Sequence, residues 1–162
     1  MNNKEERFNQ LVNDHKRTIY TVCYMFSNQP YEVEELFQEI LIRLWMGFES
    51  YEGRSEARTW VYRVALNAAI NRQKSGRRRV ETVPLTLEID MEDSDDVRAH
   101  QIQELYDHIS RLDMMDRAIV LLWLEELSYA DIGSIVGITP ANVGMRMLRI
   151  KDKLIGMSKK SN

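Results

Sequence analysis

The chain has 162 residues, enough for one ordinary domain or two small ones. Apolar residues make up 44% of the sequence and charged residues 29%, as in folded globular proteins, so wholesale disorder is excluded. Glycine (7) and proline (3) are scarce, which favours helices over a turn-rich sheet protein, and the net charge of −3 argues against a generic DNA-coating protein.

Few residues are suited to catalysis or metal binding. Cys23 is the single cysteine, and because it falls on the apolar face of the first helix we expect it in the protein core. The three histidines are too scattered for a metal site. Since no catalytic triad or phosphate-binding loop can be assembled at helical spacing, we predict no enzyme, no cofactor and no small-molecule substrate. The sequence start lacks an apolar signal core and no window approaches about 18 apolar residues, which predicts a cytoplasmic protein without membrane insertion.

Charge is distributed unevenly along the chain. Residues 54–79 contain eight basic residues and one acid, residues 81–97 seven acids and no base, and residues 139–160 six basic residues and one acid. Residues 80–97 also lack helical periodicity and contain Pro84. We therefore predict an acidic linker at 80–97 that joins a first domain, 1–79, to a second domain, 98–158.

The spacing of apolar residues predicts helices throughout both domains. Apolar residues recur at helical spacing from Phe8 to Phe26 and again, without a miss, from Val33 to Phe48. Ser55 can cap a third helix that runs to about Gly76. A fourth helix and a very apolar fifth helix are predicted on either side of Leu112. The predicted fold is all-α, with two small helical domains.

Residues 128–154 have the layout of a helix-turn-helix: a short helix, a turn with glycine and a long helix. Ser128 and Thr139 suit helix N-caps, Gly137 suits a C-cap, and Gly133 is small enough for close contact between the helices. Amide and guanidinium groups on the second helix can reach base edges and phosphates in a major groove. The candidate DNA-binding residues there are Asn142, Met145, Arg146, Arg149 and Lys153. The alternative is a helical hairpin with a solvated basic face.

Two further stripes lie on the helices of the first domain. On the second helix, polar and exposed apolar residues together favour a protein-binding patch as much as a solvated face. The members of this stripe are Glu35, Gln38, Glu39, Ile42 and Met46. On the third helix, a polar ridge suits single-stranded DNA, and Trp60 near its start offers either a stacking surface or core packing. The ridge consists of Arg63, Asn67, Asn71, Lys74 and Arg78.

These residues resemble the extracytoplasmic-function (ECF) sigma factors of bacterial RNA polymerase. The resemblance extends over nearly the whole chain, in order. It is carried by Glu35-Leu36-Phe37-Gln38-Glu39, Leu44-Trp45, Tyr51-Glu52-Gly53-Arg54-Ser55, residues 59–67 (TWVYRVALN) and residues 127–133 (LSYADIG). Residues 142–151 are similar to the Bacteroidetes branch of the family.

The resemblance implies core RNA polymerase and promoter DNA as partners. The first domain would dock on the polymerase clamp and melt the minus-ten element, and the second would read the minus-thirty-five element. By this resemblance Glu35, Gln38 and Glu39 fall on the core-binding motif, to which we add Ile42 from the same outward face. The minus-ten reading helix would include Asn67 and Asn71, residues 53–58 would hold a flipped-out base, and residues 81–96 would thread toward the active centre.

Family members also commonly answer to an anti-sigma factor, which is therefore an expected partner. The chain departs from the family at three positions. Glu35 replaces the more usual Asp, which should keep the charge and the function. Gly144 and Met145 stand where many members have Lys or Arg and Ser, so a known promoter sequence cannot be transferred to this chain.

Two other functions fit parts of the sequence. A helix-turn-helix regulator that acts without sigma activity would explain the second domain but not the polar ridge or the acidic linker. A sigma-like decoy would bind polymerase or an anti-sigma factor and initiate nothing. Duplex binding without polymerase would favour the regulator, and transcription in vitro separates the decoy.

Overall fold

The computed structural model describes residues 3–27, 29–51, 53, 56–74 and 96–161 of the chain. These residues form seven α-helices and no strand, which confirms the predicted all-α fold. The helices are α1 (Asn3–Met25), α2 (Pro30–Tyr51), α3 (Ala57–Lys74), α4 (Asp96–Ser110), α5 (Met114–Leu124), α6 (Tyr129–Val136) and α7 (Pro140–Ser161). None of these described helices combines the length and the apolar character needed to cross a membrane.

The chain divides into two compact units, the first with α1 to α3 and the second with α4 to α7. Residues 80–95 of the predicted linker lie outside the described residues, and α4 already begins at Asp96. The domain boundaries that the sequence suggested therefore stay a prediction.

In the first unit, three helices pack on one another around a single core. The apolar stripe of α2 is buried as its spacing predicts, with Leu36, Ile40 and Leu44 fully covered. The face of α3 that meets the other helices is rich in alanine, and small side chains at a contact let helix axes approach closely. Val64, which we expected on this inner face, is only half-buried.

Cys23 lies in the core of the first unit, as predicted, and is fully buried. Burial raises the pKa of its thiol well above the usual range, because a thiolate would lose its hydration there. A thiol that cannot ionise is a poor nucleophile and a poor metal ligand. Cys23 is therefore a packing residue.

The second unit is built around α5, a helix that is buried on nearly every side. Its residues from Asp116 to Leu122 are all buried, and α4, α6 and α7 pack against it. The Asp113 side chain caps α5 by accepting a hydrogen bond from the Asp116 backbone N–H at 2.8 Å. A helix that is buried on nearly every side needs neighbours on several sides, which explains why four helices assemble here.

Candidate nucleic-acid and partner interfaces

The outer face of α2 carries an exposed stripe in which apolar residues follow polar ones. Glu35 and Gln38 are exposed, and Ile42 follows one turn later with 59% of its surface exposed. Met46, another turn along, is 77% exposed. Exposed apolar side chains that continue a polar stripe are typical of a surface that a partner covers.

The carboxylates of this stripe also bind a neighbouring helix. Arg72 of α3 donates a hydrogen bond to Glu35 at 2.5 Å and lies 3.8 Å from Glu39. Glu39 in turn accepts a hydrogen bond from Arg43 at 2.9 Å. The stripe on α2 is thus linked by ion pairs to α3, a connection that the sequence analysis missed because Arg72 lies 37 residues from Glu35.

The polar ridge of α3 lies partly within the described residues. Asn67 and Asn71 are exposed one turn apart, and Arg63 is half-buried on the same line. The backbone of Lys74 is helical but its side chain is outside the described residues, as is the whole of Arg78. The two amides therefore present donors and acceptors to solvent on one face of α3, and their DNA-binding role stays a prediction.

Trp60 packs against the protein on one side. Its ring stacks on Tyr51, with ring centroids 4.4 Å apart and an interplanar angle of 14°. The Trp60 ring also lies against Gly47 of α2, where an added Cβ atom would be 3.4 Å from Trp60 Cζ2. The residue is half-buried overall. The structure thus gives Trp60 a packing role at the junction of α2 and α3, and base contact stays a prediction.

Helices α6 and α7 are joined by a three-residue turn, residues 137–139. Ser128 caps α6 by accepting from the Asp131 N–H, and Thr139 accepts from the Asn142 N–H at the start of α7. Gly137 ends α6 with φ of +86°, a conformation that favours glycine. These caps are the ones that the sequence predicted.

Gly133 packs against the turn itself. A Cβ atom at Gly133 would lie 2.4 Å from the carbonyl oxygen of Ile138, closer than any real contact. The small size of Gly133 predicts close contact between the helices at this position. The structure identifies the contact more narrowly, as one with the backbone of the turn between them.

The outward face of α7 contains three of the five candidate DNA-binding residues of this helix. Asn142, Met145 and Arg149 are all exposed, while Val143, Met147 and Ile150 are buried on the opposite face. Leu148 is also exposed beside Met145, which the sequence analysis did not single out. This face presents an amide, a guanidinium group and apolar side chains together.

Arg146 and Lys153, the other two candidates on α7, bind a carboxylate within the protein. Arg146 donates to Asp116 Oδ1 at 3.1 Å, and Lys153 Nζ lies 3.5 Å from Asp116 Oδ2. The Asp116 side chain is only 6% exposed. We expected both basic residues to face outward. Lys153 is exposed, at 53%, although it also pairs with Asp116, and Arg146 is part-exposed, at 39%. Both cations offset the charge of the nearly buried Asp116.

No group of three or more His, Cys, Asp or Glu residues in the described part of the chain is arranged to hold a metal ion. The surfaces described above consist of amides, guanidinium groups, carboxylates and exposed apolar side chains. Such groups bind bases, phosphates and protein surfaces.

Comparison with known proteins finds similarity to RNA polymerase sigma factors. Residues 11–79, which include nearly all of the first unit's helices, match the family model of sigma-70 region 2. The chain is 32% identical over 72 residues to the ECF RNA polymerase sigma factor SigG of Mycobacterium tuberculosis, an alignment that covers 44% of this chain and only 20% of SigG. Against the ECF RNA polymerase sigma factor SigW of Bacillus subtilis, identity is 26% over 93% of this chain and 88% of SigW.

The fold also has a counterpart among solved structures. The sigma factor RpoE of Bartonella quintana, crystallised in complex with the anti-sigma factor NepR, superposes with a TM-score of 0.73. The superposition covers 95% of this chain and 98% of RpoE, at 18% sequence identity. The two proteins therefore share a fold.

Proposed function

We propose that this chain is an ECF RNA polymerase sigma factor, the family that its similarities to SigG and SigW support. It binds core RNA polymerase, recognises the minus-ten and minus-thirty-five promoter elements and directs transcription initiation. One observation carries the proposal. The match to sigma-70 region 2 falls on the same helices whose exposed faces carry the α2 stripe and the α3 ridge.

Core polymerase binds the α2 stripe in this proposal. Glu35, Gln38, Glu39 and Ile42 form the contact, and the exposure of Met46 supports its inclusion. Interface cores are enriched in methionine and depleted of charge, while their rims are polar. The exposed Ile42 and Met46 fit the core of such an interface, and the carboxylates fit its rim.

Opened minus-ten DNA binds the α3 ridge. Asn67 and Asn71 offer donors and acceptors to unstacked bases, and the basic residues of the segment 54–79 follow the phosphates. Trp60 and Tyr51, already stacked on each other, supply an aromatic surface near the start of α3. The two amides and the Trp60 ring lie on one helix, α3, and this combination of base-pairing groups with an aromatic ring supports a role in melting.

Helices α6 and α7 act as the helix-turn-helix that reads the minus-thirty-five element. The cap at Thr139 starts α7 directly after the turn, and Asn142 and Arg149 are exposed on its outer face. Amides pair with adenine and guanidinium groups with guanine in a major groove. Net basic charge in residues 139–160 supports contact with phosphate.

An anti-sigma factor is a further partner in this proposal, by analogy with RpoE, which was crystallised with NepR. The Bacteroidetes-like branch rests on residues 142–151, and the acidic linker at 80–97 rests on composition. Because its proposed partner is RNA polymerase, we propose that the protein acts in the cytoplasm beside polymerase.

Run-off transcription with purified core polymerase on genomic fragments tests the proposal. We expect discrete transcripts only when the chain is added. Duplex binding without polymerase and without transcripts would instead identify a helix-turn-helix regulator. Polymerase binding that yields no transcript from any fragment would identify a decoy.

A further inference from the structure

We propose that Asp116 is a positioning residue for α7, and that it withholds Arg146 and Lys153 from the DNA. Base reading then falls to the residues on the outer face of α7, above all Asn142 and Arg149. This inference rests on the proposed function, because it assigns roles within the DNA-binding helix. It differs from the expectation, drawn from sequence, that Arg146 and Lys153 are DNA-binding residues.

Asp116 is held in place from two directions. Its backbone N–H is bound by Asp113, which caps α5, so the residue lies in the first turn of a helix that is buried on nearly all sides. A carboxylate in the first turn of a helix is favoured by the helix dipole. Asp116 is thus a carboxylate in the first turn of a helix that is largely buried in the second unit.

Each carboxylate oxygen of Asp116 has its own cation on α7. Arg146 approaches Oδ1 and Lys153 approaches Oδ2. These two residues are seven positions apart, which is about two turns of an α-helix, so they lie on one line along α7. Two attachments on one line fix both the rotation of α7 about its axis and its tilt against α5. Asn142 and Arg149 are directed outward by the same rotation.

For Arg146, giving up its contact with Asp116 in order to bind DNA would be unfavourable. To reach a base, Arg146 would withdraw its charge from Asp116 Oδ1 and leave Lys153 beside a nearly buried carboxylate, and weakening the pairing of a buried charge is costly. Arg149 is exposed on the same helix. It can therefore bind a guanine or a phosphate without breaking a contact to Asp116.

The test measures how the holoenzyme binds promoter duplexes that carry each single base-pair change across the minus-thirty-five element, at several salt concentrations. The variants are Asp116→Asn, Arg146→Met and Arg149→Met. Asp107→Asn serves as the matched control, because it makes the same change in charge at an exposed position of α4 in the same unit. Circular dichroism of each variant reports whether the helices form.

We expect Arg149→Met to lose between about fivefold and about a hundredfold in discrimination at one base pair, as for the loss of a bidentate contact. Arg146→Met should keep the wild-type salt slope and lose no discrimination confined to a single base pair. Because the Lys153 attachment remains, any fall in preference should be small and spread over several positions. Asp116→Asn should release Arg146 and Lys153 to phosphates. The logarithmic salt slope should then steepen by about one to two, and promoter preference should fall at several positions together. A purely structural loss of stability would weaken binding without steepening the slope.

Several results would overturn the inference. One is an Arg146→Met variant that loses discrimination at a single base pair, since Arg146 would then read a base. Another is an Asp116→Asn variant with the wild-type slope and preference. If Asp116→Asn does not fold, the profile of Arg146→Met decides by itself. If even the wild-type holoenzyme has no promoter preference, the proposed function fails and this inference fails with it, a result that is distinct from the first two.

Discussion

Both units hold basic side chains with carboxylates from a neighbouring helix, but the two ion-pair clusters differ in burial. In the first unit, Arg72 of α3 binds Glu35 and Glu39 of α2, and the Glu35 side chain is 57% exposed. In the second unit, Arg146 and Lys153 of α7 bind Asp116, which is 6% exposed. The difference lies in the carboxylates, since Arg72, at 27% exposed, is itself less exposed than Arg146, at 39%.

Burial determines what each cluster can do. Exposed ion pairs contribute about 0 to 1 kcal/mol, because water and salt screen them and either partner is well hydrated alone. A buried carboxylate that loses its partner has no such alternative, and the loss costs several-fold more. Under the proposed function, the first cluster can therefore exchange its partners when polymerase or DNA binds. The second is a fixed part of the unit.

The largest effect that we predict concerns packing rather than charge. Gly133→Ala places a Cβ atom 2.4 Å from the Ile138 carbonyl oxygen, so the turn between α6 and α7 must shift. We expect a loss of about 3 kcal/mol in the free energy of unfolding of the second unit, at the upper end for overpacking. Hydrogen exchange of amides in α5 to α7 measures it.

The matched control is Gly47→Ala in α2 of the first unit, whose added Cβ would lie 3.4 Å from Trp60, an ordinary contact. Alanine is favoured over glycine in a helix interior by about 1 kcal/mol, so this variant should be unchanged or more stable. Equal destabilisation by both substitutions would contradict the view that the close contact of Gly133 with the turn causes the loss.

Arg146→Met should destabilise the second unit by about 2 kcal/mol. The substitution keeps much of the apolar stem but leaves Asp116 with Lys153 as its remaining partner on α7. Since Arg146 is 39% exposed, we expect less than the full cost of breaking a buried pair. Denaturant unfolding of the full chain, followed by hydrogen exchange in each unit, measures this change in the free energy of unfolding. A loss below about 0.5 kcal/mol would show that Asp116 is adequately solvated.

Arg72→Met is the same substitution in the exposed cluster, and we expect a loss of less than about 1 kcal/mol in the first unit. The effect should shrink further when salt is raised from low to high concentration, because exposed pairs are screened. The Arg146→Met effect should change less with salt. A larger loss of stability from Arg72→Met that does not change with salt would show that the first cluster is as poorly screened as the second.

Much of the helical framework could be predicted from sequence because it depends on local patterns. The caps at Ser128 and Thr139 and the apolar stripe of α2 follow from residues three or four positions apart. The ion pairs could not be predicted in the same way, because their partners lie 30 residues or more apart in sequence. Helical spacing shows which residues of α7 avoid the core, and it therefore predicts Arg146 on the outer face. It does not show which carboxylate of another helix lies beside that residue.

The smallest effect on stability is expected at the centre of the α2 stripe. Gln38→Ala removes an exposed amide with little packing, so the free energy of unfolding should change by less than about 0.5 kcal/mol. If polymerase covers this face, affinity for core enzyme should nevertheless fall, because an interface residue acts only in the complex. Glu39→Ala differs, since Glu39 also binds Arg43 and lies near Arg72, and it should lower affinity and stability together. Titration of labelled core polymerase with each variant, beside its unfolding curve, separates the two effects. An unchanged affinity for both variants would show that the exchangeable cluster of the first unit lies outside the polymerase contact.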